Sequence, residues 1–263
     1  MDPTARIVVT RVDGDKRVAA EDALAVEEPL EIRIAEKPLA VTMRTPGDDF
    51  DLAAGFAFTE NVVASRDGIV SIRHWGSPNI VRITLRDGVK IDWGRLQRHF
   101  YAASSCGICG KASIDSIRVH VKPVTASFRI DAGLVRALPD LARTHQKTFD
   151  ATGAIHAAAL FTTAGELLEL REDIGRHNAV DKVIGAMFLE REMPLADHVL
   201  FVSGRAGFEV VQKAVVAGIA VIAAVGAPSS LAVDLARELN VTLIGFLRDG
   251  RFNVYFGEER LKS

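Results

Sequence analysis

The only two cysteines of this 263-residue chain are Cys106 and Cys109, set in Ser104-Ser105-Cys106-Gly107-Ile108-Cys109-Gly110-Lys111. Two thiols at this spacing can close a disulfide, hold half of a metal site, or pass a sulfur atom onward. Gly107 and Gly110 let the backbone bend tightly and keep bulk away from the sulfurs. Amides after the turn and the cation of Lys111 favour thiolate, the reactive form. Such a thiolate can attack a persulfide, hold the extra sulfur and hand it on. The second thiol would assist, or release the sulfur as the pair closes to a disulfide. Three other chemistries compete. Inert buried cysteines would sit badly in so polar and glycine-rich a segment. Zinc would need His99 and His120 to complete four ligands, at spacings looser than structural zinc favours. A thioredoxin-like pair belongs at the start of a helix in a βαβ unit, whereas this pair lies between the halves of the chain.

A second constellation is Arg171-Glu172-Asp173-Ile174-Gly175-Arg176-His177-Asn178, which sets a glycine turn, cations, a histidine and an N-cap at the mouth of a helix. Free amides with arginine nearby suit a phosphate or other anion, although a charged loop that caps itself explains the same residues equally well. Val202-Ser203-Gly204-Arg205-Ala206-Gly207 is a similar turn, with Ser203 and Arg205 as natural phosphate partners. It lacks the Walker lysine and the full G-x-G-x-x-G spacing. Gly226-Ala227-Pro228-Ser229 is another, with Ser229 as its cap. Phe246-Leu247-Arg248-Asp249-Gly250-Arg251 offers two arginines and an aromatic to an anionic, ring-bearing ligand, with a plain hairpin turn as the competing explanation. Turns that follow successive parallel strands gather at one sheet edge, where open α/β folds bind ligands. His156, alone near an element start, reads more readily as structural than catalytic.

The elements that would position these residues fall into two groups. Arg6 to Val12, Leu30 to Ile34 and Lys37 to Met43 read as strands. Phe50 to Phe58 reads as a helix capped by Asp48 or Asp49, followed by strands at Ile69–Arg73 and Asn79–Leu85. Residues 113–121 read as a short helix or strand, and Gly133 to Gln146 as a helix. Beyond residue 150 the pattern alternates. Ile155 to Phe161, rich in alanine, reads better as a helix than a strand. Glu166–Leu170 is a strand, and Asn178 caps a helix through Met187. Strands at 198–202, 219–225 and 241–247 then alternate with helices at 208–217 and 229–239, implying parallel pairing through crossovers. The fold class is therefore α/β and α+β. A strand-rich α+β domain, 1–125, ends in the C-x-x-C loop at about 102–112, and an α/β domain, 126–263, follows it.

Apolar residues at 48%, charged residues at 25% and a net charge of −2 describe a globular chain with no basic field for nucleic acid or an anionic membrane. Met1-Asp2-Pro3-Thr4 lacks the regions of a signal peptide, and no apolar run approaches a membrane span. Working thiols in the cytoplasm are the expectation.

Ser105 to Gly110, Thr152-Gly153-Ala154-Ile155-His156-Ala157-Ala158, Arg171 to Asn178 and Ser203-Gly204-Arg205 together resemble the FdhD family of formate dehydrogenase accessory sulfurtransferases. The likeness runs from about Pro46 to Tyr255. It implies that Cys106 carries a persulfide taken from a cysteine desulfurase, with Cys109 as its partner. The acceptor it implies is the molybdenum cofactor with two pterin guanine dinucleotides, bound transiently and destined for formate dehydrogenase, with no permanently bound cofactor or metal. Phe246, Leu247, Arg248, Asp249, Gly250 and Arg251 would bind it, with Ser203, Gly204, Arg205, Arg176 and His177. A chaperone that binds the cofactor without transferring sulfur is the alternative. The resemblance also implies a homodimer, and a three-layer carboxyl half like the cytidine deaminase fold. Deaminases need H-x-E and P-C-x-x-C for zinc. Here Ala157 and Ala158 follow His156, and Ser105 precedes Cys106, so the fold would serve for binding rather than deamination.

Overall fold

The computed structural model describes residues 2–93, 122–191 and 193–262. Cys106 and Cys109, with the C-x-x-C loop at 102–112, His99, His120 and the segment 113–121, lie outside the described residues.

Strands β1 (Thr4–Asp13) and β2 (Lys16–Ala25) form an antiparallel ribbon, separate from the other sheets. β3 (Glu28–Ile34), β4 (Lys37–Arg44), β5 (Ile69–His74) and β6 (Ile80–Leu85) make a four-stranded sheet in the order β4-β3-β6-β5. Period-two alternation in β3 turns Leu30, Ile32 and Ile34 inward, and helix α1 (Asp49–Thr59) covers that face. Neither expected aspartate caps α1. Asp48 occupies the N-cap position in a left-handed conformation without a side-chain cap bond. Its carboxylate lies 3.5 Å from Arg171, and that of Asp49 is gripped by buried Arg44 at 2.8 and 3.1 Å. Paired guanidiniums outcompete backbone amides for these carboxylates.

The rest of the chain is built on a six-stranded sheet in the order β13-β12-β11-β10-β8-β9. Its strands are β8 (His156–Thr162), β9 (Leu167–Asp173), β10 (His198–Val202), β11 (Val221–Ala224), β12 (Thr242–Arg248) and β13 (Arg251–Phe256). The helices are α2 (Ala132–Arg143), α3 (Lys147–Thr152), α4 (Arg176–Glu190), α5 (Phe208–Val216) and α6 (Ser230–Glu238). Two short strands, β7 (Ile130–Asp131) and β14 (Leu261–Lys262), pair beside them. Parallel pairing holds for β10, β11 and β12, which α5 and α6 connect by crossovers. β8 runs antiparallel to β10 and β9, and β13 antiparallel to β12, because short turns join β8 to β9 and β12 to β13.

The alanine-rich segment 155–161 is strand, not helix. It lies inside the sheet between β9 and β10, with Ala157 to Phe161 buried. A strand covered on both faces loses the polar alternation that marks strands, so helix propensity misleads there. Alternate residues enter two cores. Ala158, Leu160, Leu200, Val202 and Ile222 join α4 and α5, whereas Ala159, Phe161, Val199, Phe201 and Val221 pack with Val135 and Leu138 of α2. The sheet is thus the middle of three layers.

Helix α4 is buried almost throughout, with the sheet on one side and α1 on the other. Where α1 crosses it, the backbones meet. A Cβ at Gly55 would overlap the carbonyl oxygen of Asp181 and stand 2.7 Å from its carbonyl carbon. Asn178, expected to cap α4, lies inside its first turn, since the helix begins at Arg176 with Gly175 as N-cap. Its amide instead donates to Met43 O at 2.7 Å and Asp173 Oδ1 at 3.0 Å. Two buried lysines extend these ties. Lys182 Nζ reaches Asp173 at 2.8 Å and Thr45 O at 2.9 Å. Lys213 Nζ on α5 reaches Asp181 at 2.9 Å and Thr59 Oγ1 at 3.0 Å. Burial acts to lower the pKa of Lys213, but Asp181, Glu60 and Glu209 outweigh it and raise the value, so the charge persists.

Candidate functional site

The carboxyl ends of β10, β11 and β12, the carboxyl end of β9 and the amino end of β8 fall on one edge of the six-stranded sheet. Every described turn singled out in the sequence starts there. Backbone hydrogen bonds join them into one rim. Gly226 N donates to Gly204 O at 3.0 Å, Phe246 N to Gly226 O at 3.1 Å, and Ser229 N to Ala206 O at 3.2 Å. Ser203 ties the rim to β8, its amide donating to Ala157 O at 2.9 Å and its hydroxyl accepting from Ala157 N at 2.8 Å. Ser229 caps α6 by accepting from Ala232 N, as expected.

Gly204 brings His156 and Arg176 together. A Cβ there would stand 3.2 Å from His156 Nδ1 and 3.8 Å from Arg176 Cβ, so a larger residue would press on both. Burial, and then the Arg176 cation, push the His156 pKa below the ordinary histidine value against the pull of Asp173. At neutral pH the rim therefore presents a neutral imidazole next to a guanidinium. Arg176 opens α4, and its Nε is buried without a hydrogen-bond partner among the described residues. Arg205 projects from the β10 turn, exposed.

Phe246 to Arg251 forms the β12–β13 hairpin. Asp249 (φ 54°) and Gly250 (φ 70°) make its two-residue turn, with Arg248 and Arg251 directly opposite each other across the strands. Two like charges in register repel, and an anion between them would relieve that repulsion. Leu247 is buried in the core, whereas Phe246 is exposed and carries the Arg248 guanidinium 5.7 Å from its ring centroid. Phe246 also adopts a left-handed φ of 53°, an uncommon conformation for a bulky residue, beside a bulge between Gly245 and Arg248. The exposed ring and the guanidiniums of Arg176, Arg205, Arg248 and Arg251 suit planar and phosphate groups respectively.

His177 is placed differently. It is buried between α4 and α5, with Nδ1 3.5 Å from Glu209. The acidic residues of its motif also face elsewhere. Glu172 accepts from Thr148 N at 2.7 Å and Phe149 N at 2.8 Å, and Asp173 holds Lys182. His156 lies on the rim at the start of β8. Its place follows from the register, since a strand antiparallel to β10 begins where β10 ends.

A cavity of about 610 Å³ runs along β9, lined in part by Thr45, Asp48, Glu169, Arg171 and Lys182. Its most central charges are already paired, Arg171 with Asp51 at 2.8 Å and also with Glu169, and Lys182 with Asp173 at 2.8 Å. Among the described residues, no three His, Cys, Asp or Glu side chains could hold a metal ion, and no helix is long and apolar enough to cross a membrane.

The model of the FdhD/NarQ family matches residues 25–262. The sulfur carrier protein FdhD of Streptomyces coelicolor is 49% identical over 269 aligned positions, covering 98% of this chain and 95% of that protein. The protein of the same name from Sulfurisphaera tokodaii is 40% identical, covering 97% and 98% of the two chains. The crystal structure of a protein described as a formate dehydrogenase accessory protein from Desulfotalea psychrophila matches with a TM-score of 0.78 at 22% identity, over 99% of this chain and 100% of that one. That likeness establishes a shared fold.

Proposed function

This chain belongs to the FdhD/NarQ family, and on that premise we propose that it carries sulfur from a cysteine desulfurase to the molybdenum cofactor of formate dehydrogenase. The observation that supports the reading is the rim, where an exposed aromatic ring and four arginines line one sheet edge. The acceptor is treated as a substrate with two guanine dinucleotides, and the rim suits its phosphates and rings. Arg176, with its unpartnered Nε, and the facing pair Arg248 and Arg251 would take phosphate oxygens. Phe246 would stack on a base. Gly204 would let the ligand approach the backbone beside His156. The carboxyl half would then be a deaminase-like platform used for binding.

Sulfur chemistry falls to Cys106 and Cys109. The Cys106 thiolate attacks the terminal sulfur of the desulfurase persulfide. The donor S–S bond breaks, the donor cysteine leaves as thiolate, and the persulfide now sits on Cys106 with no net redox change. Attack of Cys109 on the inner sulfur then releases the terminal atom as hydrosulfide to the acceptor and leaves a Cys106–Cys109 disulfide, which an external dithiol reduces.

The test is mass spectrometry of the Cys109→Ala variant after incubation with desulfurase and cysteine. Cys106 should gain about 32 Da, one sulfur atom. No gain would sink the carrier role. Formate dehydrogenase activity that persists with Cys106→Ala would favour a cofactor chaperone instead.

A further inference from the structure

Helix α1 covers one face of the four-stranded sheet, and no described helix covers the other. From that outer face inward, the layers are the sheet, α1, α4 and the six-stranded sheet. Alternation in β3 turns Arg33 outward, away from the buried Ile32 and Ile34. The register then sets Arg33 beside Arg82 of β6, and Arg82 beside Arg73 of β5. Three guanidinium groups thus extend from one row across three adjacent strands. Like charges directly opposite each other in a sheet are destabilising, so the row calls for anions.

Neighbouring side chains answer part of that repulsion. Glu31 pairs with Arg33, and Glu36 with Arg82 at 2.9 Å. Trp75 stands by both cations, its ring centroid 5.1 Å from each guanidinium carbon. Stacking of this kind holds guanidinium planes in place, and here the Nε atoms of Arg33 and Arg82 are buried without a hydrogen-bond partner among the described residues. Arg73 is left over. It is exposed and forms no ion pair among the described residues. Around the row, Val41 and Met43 of β4 are 63 and 46% exposed, and Trp75 is 36% exposed. Arginine, tryptophan and methionine are the residues that protein interfaces enrich.

We propose that this face docks a protein partner that presents a cluster of carboxylates, and that the partner is the sulfur donor. Carboxylates would supply the pairing that Arg73 lacks and relieve the repulsion along the row. Trp75, Val41 and Met43 supply apolar contact around it. The choice of the donor rests on the carrier role proposed above and on the continuity of the chain. Trp93 has its ring centroid 4.9 Å from Nζ of Lys37, the first residue of β4, and Cys106 follows thirteen positions later in the sequence. A tether of that length spans at most about 45 Å, which bounds the distance between this end of the sheet and the thiol. The rim belongs to the six-stranded sheet, with α1 and α4 in between, so donor and acceptor would occupy separate surfaces.

Surface plasmon resonance with the full chain and a cysteine desulfurase tests the surface. The wild type should bind, with an affinity that falls as salt rises and that polyglutamate competes away. Arg73→Glu should weaken binding about ten- to a hundredfold, and Trp75→Ala about tenfold or more. Circular dichroism and the affinity for guanine nucleotide at the rim should not change in Arg73→Glu. That variant should also load sulfur on Cys106 slowly at limiting desulfurase and at the wild-type rate at saturation. A wild-type chain that does not bind the desulfurase, or binding indifferent to Arg73→Glu and to salt, would overturn the proposal. So would self-association that Arg73→Glu abolishes, which would give the face to a second copy. Failure of the carrier role shows separately, as a desulfurase that binds this face yet leaves no sulfur on Cys106.

Discussion

Replacing Gly55 by alanine should loosen the whole molecule, because the crossing of α1 and α4 has no room for a methyl group. The added Cβ would overlap Asp181 O, stand 2.7 Å from Asp181 C and 3.0 Å from Gly185 N. Carbon pairs rest near 3.5–4.0 Å, so the helices would have to part by about 1 Å. The obstacle is backbone and cannot rotate away. Overpacking of this kind costs about 1–3 kcal/mol, sometimes more. Separation would also stretch Thr59 Oγ1 from Asp181, now at 2.8 Å, and from Lys213 Nζ, now at 3.0 Å. Alanine's better helix propensity offsets roughly 1 kcal/mol. Because the clash is with backbone of both Asp181 and Gly185, the cost falls at the top of that range, about 3 kcal/mol, and the net loss should be about 2 kcal/mol, measured by urea unfolding. With a slope near ~3 kcal/mol/M for a chain of this size, the midpoint should fall by roughly 0.7 M. Gly68→Ala is the control, since its Cβ would meet only Val89 Cγ2 at an ordinary 3.5 Å. If Gly55→Ala unfolds within about 0.5 kcal/mol of wild type, the close crossing is refuted.

Lys213→Met should cost about 3–5 kcal/mol by leaving Asp181 buried without its cation. Pairing it with Asp181→Leu should recover much of that in the same assay. Asp173→Ala should destabilise by several kcal/mol and raise amide exchange at Thr45 and Gly175, whose N–H groups it accepts at 3.2 and 2.8 Å. His156 and His198 both have pKa values lowered by burial from the ordinary 6.5. The unfolded chain therefore binds more protons below that value, so stability should be full above it and fall as pH drops through it. His156→Asn should flatten part of that slope, as followed by thermal unfolding across pH. Arg205→Ala should weaken binding of a guanine nucleotide and reduce the salt dependence that remains, without shifting the melting temperature, because Arg205 is exposed.

The sheet edge was legible because strands such as 199–202 are apolar throughout and end in glycine turns, and parallel neighbours must end together. Segment 155–161 was not, because burial on both faces erased its period. Arg171 to Asn178 read as one charged unit, yet the structure sends its members to separate partners. Arg171 goes to Asp51, Glu172 to the amides of α3, Asp173 to Lys182 and Thr45, and Asn178 to Met43. The contacts to Asp51, Thr45 and Met43 join residues more than a hundred positions apart and leave no local period, so spacing alone could not assign them.

The central claim is that sulfur reaches the guanine-bearing molybdenum cofactor through Cys106. The most direct measurement loads the protein with radiolabelled sulfur from a desulfurase, adds the cofactor, and follows the label. The account predicts that label leaves Cys106 for the cofactor, that excess guanine nucleotide blocks the transfer, and that Cys106→Ala abolishes it. Label that stays on Cys106 in the presence of bound cofactor, or reaches the cofactor equally well without Cys106, would contradict it.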